Sequence, residues 1–121
     1  MKSKNNNLKI LFLGDIVGKP GRVTVKNLLP QIKEQYEPDV VLANAENLAG
    51  SLGVSEETLK EMLSSGIAAF SSGNHVWDKK PFIEHMSDEE YPIVRPANYP
   101  AGVPGREYYM VPVKNHKPLL L

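Results

Sequence analysis

Three short stretches of this chain carry side chains able to do chemistry: Gly14-Asp15, Asn44-Ala45-Glu46-Asn47 and Gly73-Asn74-His75. Two carboxylates, amide oxygens and an imidazole form a hard oxygen-and-nitrogen donor set, better suited to Mn²⁺, Fe²⁺ or Zn²⁺ than to soft Cu(I). A carboxylate held between two sites can bridge a pair of ions, and such a pair can lower the pKa of a water, neutralise phosphate oxygens and orient an in-line attack. The adjoining imidazole adds a proton donor. Each residue also has a plainer use. Asp15 could merely cap the next helix, Glu46 could pair with Arg22 or Arg95, and Gly and Asn are ordinary turn residues. The chemical reading requires the three stretches to meet.

The elements that would bring them together follow from periodicity. Residues 8–13 are a compact apolar run closed by Gly14-Asp15, read as a strand buried on both faces. Residues 20–36 place Val25, Leu28, Leu29, Ile32 and Tyr36 at helical spacing, with Pro20 suited to the first turn. Pro30 predicts a kink or a broken turn. Val40-Val41-Leu42-Ala43 reads as a second buried strand. Ser55 then caps a helix carrying Leu59, Met62 and Leu63, stopped by Gly66. Residues 67–71 form a third strand, and residues 79–86 a third helix capped by Asp78 that buries Phe82, Ile83 and Met86.

Strand and helix in alternation build a parallel sheet with right-handed crossovers, and parallel strands deliver their carboxyl ends to one edge. Asp15, Glu46, Asn74 and His75 should therefore share a crevice. Beyond residue 87 the pattern changes. Pro92-Ile93-Val94 reads as a short fourth strand, residues 95–105 as a long loop punctuated by proline and glycine, and residues 108–113 as a strand. Lys114 to Lys117 make a turn, from which Pro118-Leu119-Leu120-Leu121 starts the returning arm of a hairpin. Three leucines are a poor surface tail and a natural start to a buried strand, so the expectation is a sheet cut short.

Composition narrows the function classes. The chain has 121 residues, 41% hydrophobic and 23% charged, as in an ordinary globular domain. Residues 1–7 are read as a polar tail and residues 8–121 as a partial domain. Fourteen basic and fourteen acidic residues cancel, leaving no field to recruit nucleic acid or an anionic membrane. The absence of cysteine excludes thiolate ligands and a cysteine nucleophile in this chain. No signal peptide or membrane span is legible, and the expected setting is the cytoplasm. The glycines from Gly14 to Gly21 match neither G-x-G-x-x-G nor G-x-x-x-x-G-K-[ST], although Gly18 and Gly21 could admit a substrate phosphate close to the backbone.

Gly14-Asp15-Ile16-Val17-Gly18, Asn44-Ala45-Glu46-Asn47, Gly73-Asn74-His75-Val76-Trp77-Asp78-Lys79-Lys80 and Val94-Arg95-Pro96-Ala97-Asn98-Tyr99-Pro100 resemble, in order and spacing, the YmdB-like branch of the calcineurin-like metallophosphoesterases. That resemblance implies the amino-terminal half of a four-layer α/β/β/α sandwich and a dinuclear site of iron or manganese, with zinc or magnesium as alternatives. It also implies hydrolysis of phosphodiesters such as 2′,3′-cyclic nucleotides. Asp15 would ligate one ion, Glu46 would bridge both, Asn74 would ligate the other, and His75 would protonate the leaving oxygen. Asn47, beside the bridging carboxylate, would touch substrate or support the ligands. The family completes its site with three histidines beyond residue 121, and His85 and His116 are not placed to replace them. The isolated chain is therefore expected to bind metal weakly, to turn over little, and to self-associate through its unfinished sheet. The competing readings are a non-catalytic interaction remnant of the same fold and a nucleotide-binding regulatory module.

Overall fold

Val40, Val41, Leu42 and Ala43 are all buried, and the rest of the molecule is layered about them. This computed structural model describes residues 7–121, so the expected polar tail lies, apart from Asn7, outside the described residues. Strand β2 (Val40–Asn44) runs between β1 (Ile10–Asp15) and β3 (Ala69–Ser71), all parallel, in the order β1-β2-β3. Alternate residues of β2 face opposite layers, as the two-residue period of a strand demands. Val41 and Ala43 join a core with Leu29, Leu59, Met62, Phe70 and Phe82. Val40 and Leu42 join a smaller one with Ala69, Val111 and Val113.

The first core is the helical side. Helix α1 (Gly18–Tyr36) runs through Pro30 without the expected break. Pro30 and Lys26 are both exposed, where water can serve the carbonyl left without a donor. The apolar face read from the sequence is also narrower than expected: Leu29 is buried, but Leu28 and Tyr36 are 47% and 55% exposed. Helix α2 (Glu56–Ser64) starts as expected at Ser55, whose hydroxyl accepts from the Thr58 backbone N–H while Thr58 accepts from the Ser55 N–H. Glu61 ties α2 to α1, bonded at 2.8 Å to both Lys26 and Arg22. Those two cations hold its carboxyl below the usual range.

Strand β1 corrects the reading of a strand buried on both faces. It lies at the edge of the sheet, with Ile10 and Phe12 exposed by 44% and 49%. A short apolar run cannot distinguish an edge position from a central one, because periodicity says nothing about neighbours. Helix α3 (Lys80–Ile83) is a single turn rather than the expected eight residues, and Asp78 does not cap it: the N-cap is Lys79, without a side-chain bond. Phe82 and Met86 are nevertheless buried, and Phe82 packs edge to face on the fully buried Tyr91 at 5.8 Å.

The expected fourth strand reduces to two isolated parallel bridges, Phe70 with Ile93 and Val94 with Arg106. On the other face, β4 (Met110–Val111) and β5 (Leu119–Leu120) form the expected antiparallel hairpin, shorter than the periodicity suggested. Leu119 and Leu121 pack partly buried against the smaller core while Leu120 is 62% exposed, so the returning arm buries one face rather than two. No helix among these residues is long and apolar enough to cross a membrane.

Candidate functional site at the carboxyl edge of the sheet

The register of the sheet aligns the three loops. After an irregularity at Gly14, Asp15 stands opposite Asn44, and Asn44 stands opposite Ser71. The backbone N–H of Ala45 donates to the Ser71 carbonyl at 2.9 Å, and that of Gly18 to the Asn47 carbonyl at 2.9 Å. The chain after β3 passes Gly73 and turns into a 3-10 helix, Asn74–Trp77. All three loops leave the same edge.

Their side chains meet around Asn47, which is only 7% exposed. Its amide nitrogen donates to Asp15 Oδ2 at 2.8 Å, and its amide oxygen lies 2.8 Å from His75 Nδ1. Glu46 faces the same imidazole, with Oε2 3.5 Å from Nδ1 and 3.3 Å from the His75 backbone N–H that donates to it. Asn44 braces Glu46 from behind: its side-chain oxygen accepts from the Glu46 N–H at 3.2 Å, and its amide reaches Glu46 Oε1 at 3.5 Å. Gly73 leaves room for the Glu46 carboxylate where it lies, since a Cβ there would push that flexible group aside.

Both plainer uses of the carboxylates fail. Asp15 caps no helix: the N-cap of α1 is Val17, without a side-chain hydrogen bond. Glu46 pairs with neither arginine, because Arg22 bonds Glu61 and Arg95 bonds Glu107, each at 2.8 Å. Asn74 is exposed at the start of the 3-10 helix. The other two histidines lie elsewhere, His85 between Glu56 and Asp88 and His116 against Asp39. The Gly18 backbone is closed to a phosphate, whereas Gly21 lines a cleft shared with Asp15. Gly18 is buried at φ 57° with its Cβ position taken by the Gly50 carbonyl, and Gly21 packs on Ile16. Asn44 is the residue that the sequence reading missed, for want of any signal separating a bracing amide from a turn.

The donors present are hard oxygens and one imidazole, which suits a divalent cation. Among the described residues no three His, Cys, Asp or Glu side chains gather as a metal cluster, so amide oxygens would have to take part. An α/β fold with a parallel sheet, and an acidic, amide- and histidine-bearing site at its carboxyl edge, is the general arrangement of this structure.

The chain belongs to the YmdB-like protein family, whose model matches residues 11–121. It is 42% identical over 99 residues to the 2′,3′-cyclic-nucleotide 2′-phosphodiesterase of Bacillus subtilis (strain 168), covering 82% of this chain and 37% of that protein. A crystal structure of a hypothetical protein from Thermus thermophilus superposes with a TM-score of 0.82 at 36% identity, over 93% of this chain and 43% of the other. A phosphatase from Mycoplasma pneumoniae superposes with a TM-score of 0.78 at 31% identity, over 87% of this chain and 38% of the other. The chain thus spans well under half the length of these relatives.

Proposed function

We propose that the whole protein is a metal-dependent phosphoesterase hydrolysing phosphodiesters, with 2′,3′-cyclic nucleotides as its substrate class and the cytoplasm as its setting. The supporting observation is that the Asp15, Asn47 and His75 side chains form one hydrogen-bonded series across three loops, with Glu46 against the same imidazole. In this reading Asp15, Glu46 and Asn74 are the residues that would hold two divalent cations, iron or manganese, Glu46 being shared by both. When bound, such ions neutralise phosphate oxygens and lower the pKa of a water. His75 gives its proton to the leaving oxygen as the P–O bond breaks. Asn47 supports the imidazole and Asp15 from a buried position, and Asn44 keeps the Glu46 carboxylate oriented.

The 121-residue chain by itself binds metal weakly and turns over little in this reading, because three oxygen ligands are fewer than two cations require. The edge position of β1, with Ile10 and Phe12 half exposed, is the observation behind a second reading, a non-catalytic interaction remnant that associates through that edge.

Metal analysis and hydrolysis of bis-p-nitrophenyl phosphate, on this chain and on a version extended to the length of its relatives, test the proposal. The extended protein should hydrolyse the diester and lose activity on chelation. Glu46→Gln should lower its activity by at least about 10–100-fold, and His75→Ala by about 10²–10⁴-fold. Full, chelator-sensitive activity in the 121-residue chain would overturn the incomplete site, and hydrolysis indifferent to Glu46→Gln would overturn the function.

A further inference from the structure

We infer that Arg22 is a positioning residue of the proposed site: its guanidinium, steadied by Glu61 of α2, holds the Leu48 carbonyl and with it the turn that presents Glu46 and Asn47. The effect on hydrolysis rests on the function proposed above; the anchoring of the turn does not.

Three successive carbonyls of this turn take their donors from different places. Glu46 accepts from the Gly53 N–H at 2.7 Å, within the loop itself, and Asn47 from the Gly18 N–H of α1 at 2.9 Å. Among the described residues no backbone N–H reaches the third, that of the fully buried Leu48. Arg22 Nη1 donates to it instead. A buried carbonyl without a donor is costly, so the guanidinium fills a place that the backbone leaves open. Gly18 and Arg22 stand one turn apart on one face of α1, and a single stripe of that helix thus grips neighbouring carbonyls of the loop.

The partners of Arg22 suit it to this task. Its side chain is 14% exposed, and Nε donates to Glu61 Oε2 at 2.8 Å, which aims the other end of the rigid fork at the loop. The second Glu61 oxygen accepts from Lys26 at 2.8 Å, so Glu61 keeps a cation even when residue 22 is replaced. A lysine there would bring one ammonium on a flexible stem and could not hold Glu61 Oε2 and the Leu48 carbonyl in the same geometry. Arg22→Lys therefore preserves the charge between the helices and slackens the turn.

Amide hydrogen exchange in the 121-residue chain reads the anchoring without metal or turnover. The buried Gly53 N–H, bound to the Glu46 carbonyl, reports the turn, and the Ala68 N–H, bound to the Val41 carbonyl at 2.8 Å, reports the sheet. Arg22→Lys should speed exchange at Gly53 by about tenfold or more and leave Ala68 within about twofold. No change at Gly53, or an equal rise at both, would overturn the inference, the second because it marks general destabilisation. Should Arg22→Lys fail to fold, the unaltered chain decides. A guanidinium held at both Nε and Nη1 gives separate Nη proton signals in ¹H–¹⁵N spectra, and averaged signals for Arg22 would overturn the anchoring. In the protein extended to the length of its relatives and saturated with Mn²⁺, Arg22→Lys should lower kcat on bis-p-nitrophenyl phosphate about tenfold, with KM changed by less than about threefold. Full kcat in Arg22→Lys would overturn the role in the site. An extended protein that hydrolyses nothing, with Gly53 still loosened by Arg22→Lys, would sink the proposed activity and leave the anchoring standing.

Discussion

Glycine at position 73 accommodates a neighbour 27 residues earlier in the chain: the Glu46 carboxylate lies where a Cβ would stand. The backbone there, at φ −140°, is open to any residue, so the requirement is for space alone. Gly73→Ala should push the Glu46 carboxylate aside and cost no more than about 1 kcal/mol, because the group that yields is the free end of a flexible side chain. A urea titration with an unchanged slope and a lowered midpoint would register it. At this scale the sequence is informative about Asp15, Glu46, Asn47 and His75, because acidic, amide and imidazole groups at strand ends have a chemistry that can be named from residue type. It is silent about Asn44 and about the reason for Gly73. Both depend on where the Glu46 side chain comes to rest, which is a matter of tertiary packing.

Among the elements, α2 is the most legible and the segment from α3 to Tyr91 the least. Ser55 and the first-turn acids announce the start of α2 through local hydrogen bonding and charge, which need no partner. After α3 the backbone continues in single turns, with the N–H groups of His85, Met86 and Asp88 each donating three residues back, and a polar cluster lies on them. His85 Nδ1 lies 2.8 Å from Asp88, and Nε2 3.2 Å from Glu56, which also accepts from the Tyr91 hydroxyl. Both ring nitrogens thus face carboxylates. The hydrogen bond to Asp88, aided by the charges of Glu56, Asp88 and Glu84, holds the His85 pKa above its ordinary value near 6.5 despite partial burial. A proton bound more tightly in the folded state stabilises fully below that ordinary value, and the contribution fades as pH rises through the raised one. Stability should therefore fall as pH rises from about 6.5 through the raised value. His85→Gln should remove that part of the pH dependence in thermal unfolding.

For the molecule as a whole, the parallel sheet and the hairpin follow from alternation and turn signals, whereas strand order does not. Residues 8–13 are as apolar as a central strand, yet β1 ends at an edge where Ile10 and Phe12 remain half exposed. Beside it a cleft of about 640 Å³ runs from Phe12 past Asp15 to Thr24 of α1. An open edge bearing large apolar groups favours pairing with another strand. The 121-residue chain should run larger than a monomer in light scattering, and Phe12→Lys should raise the monomer fraction, since a charge on an edge strand opposes pairing. A clean monomer in the unaltered chain would remove the case for association.

The long loop of residues 96–105 returns to the site through one aromatic side chain. Trp77, two residues after His75, donates its indole N–H to the Pro104 carbonyl at 3.0 Å and packs edge to face on Tyr99 at 4.6 Å. It is also the chain's single tryptophan. The molecule therefore contains its own optical gauge: any event that pries this loop from the 3-10 helix admits solvent to the indole and reddens the emission, with no dye or label attached.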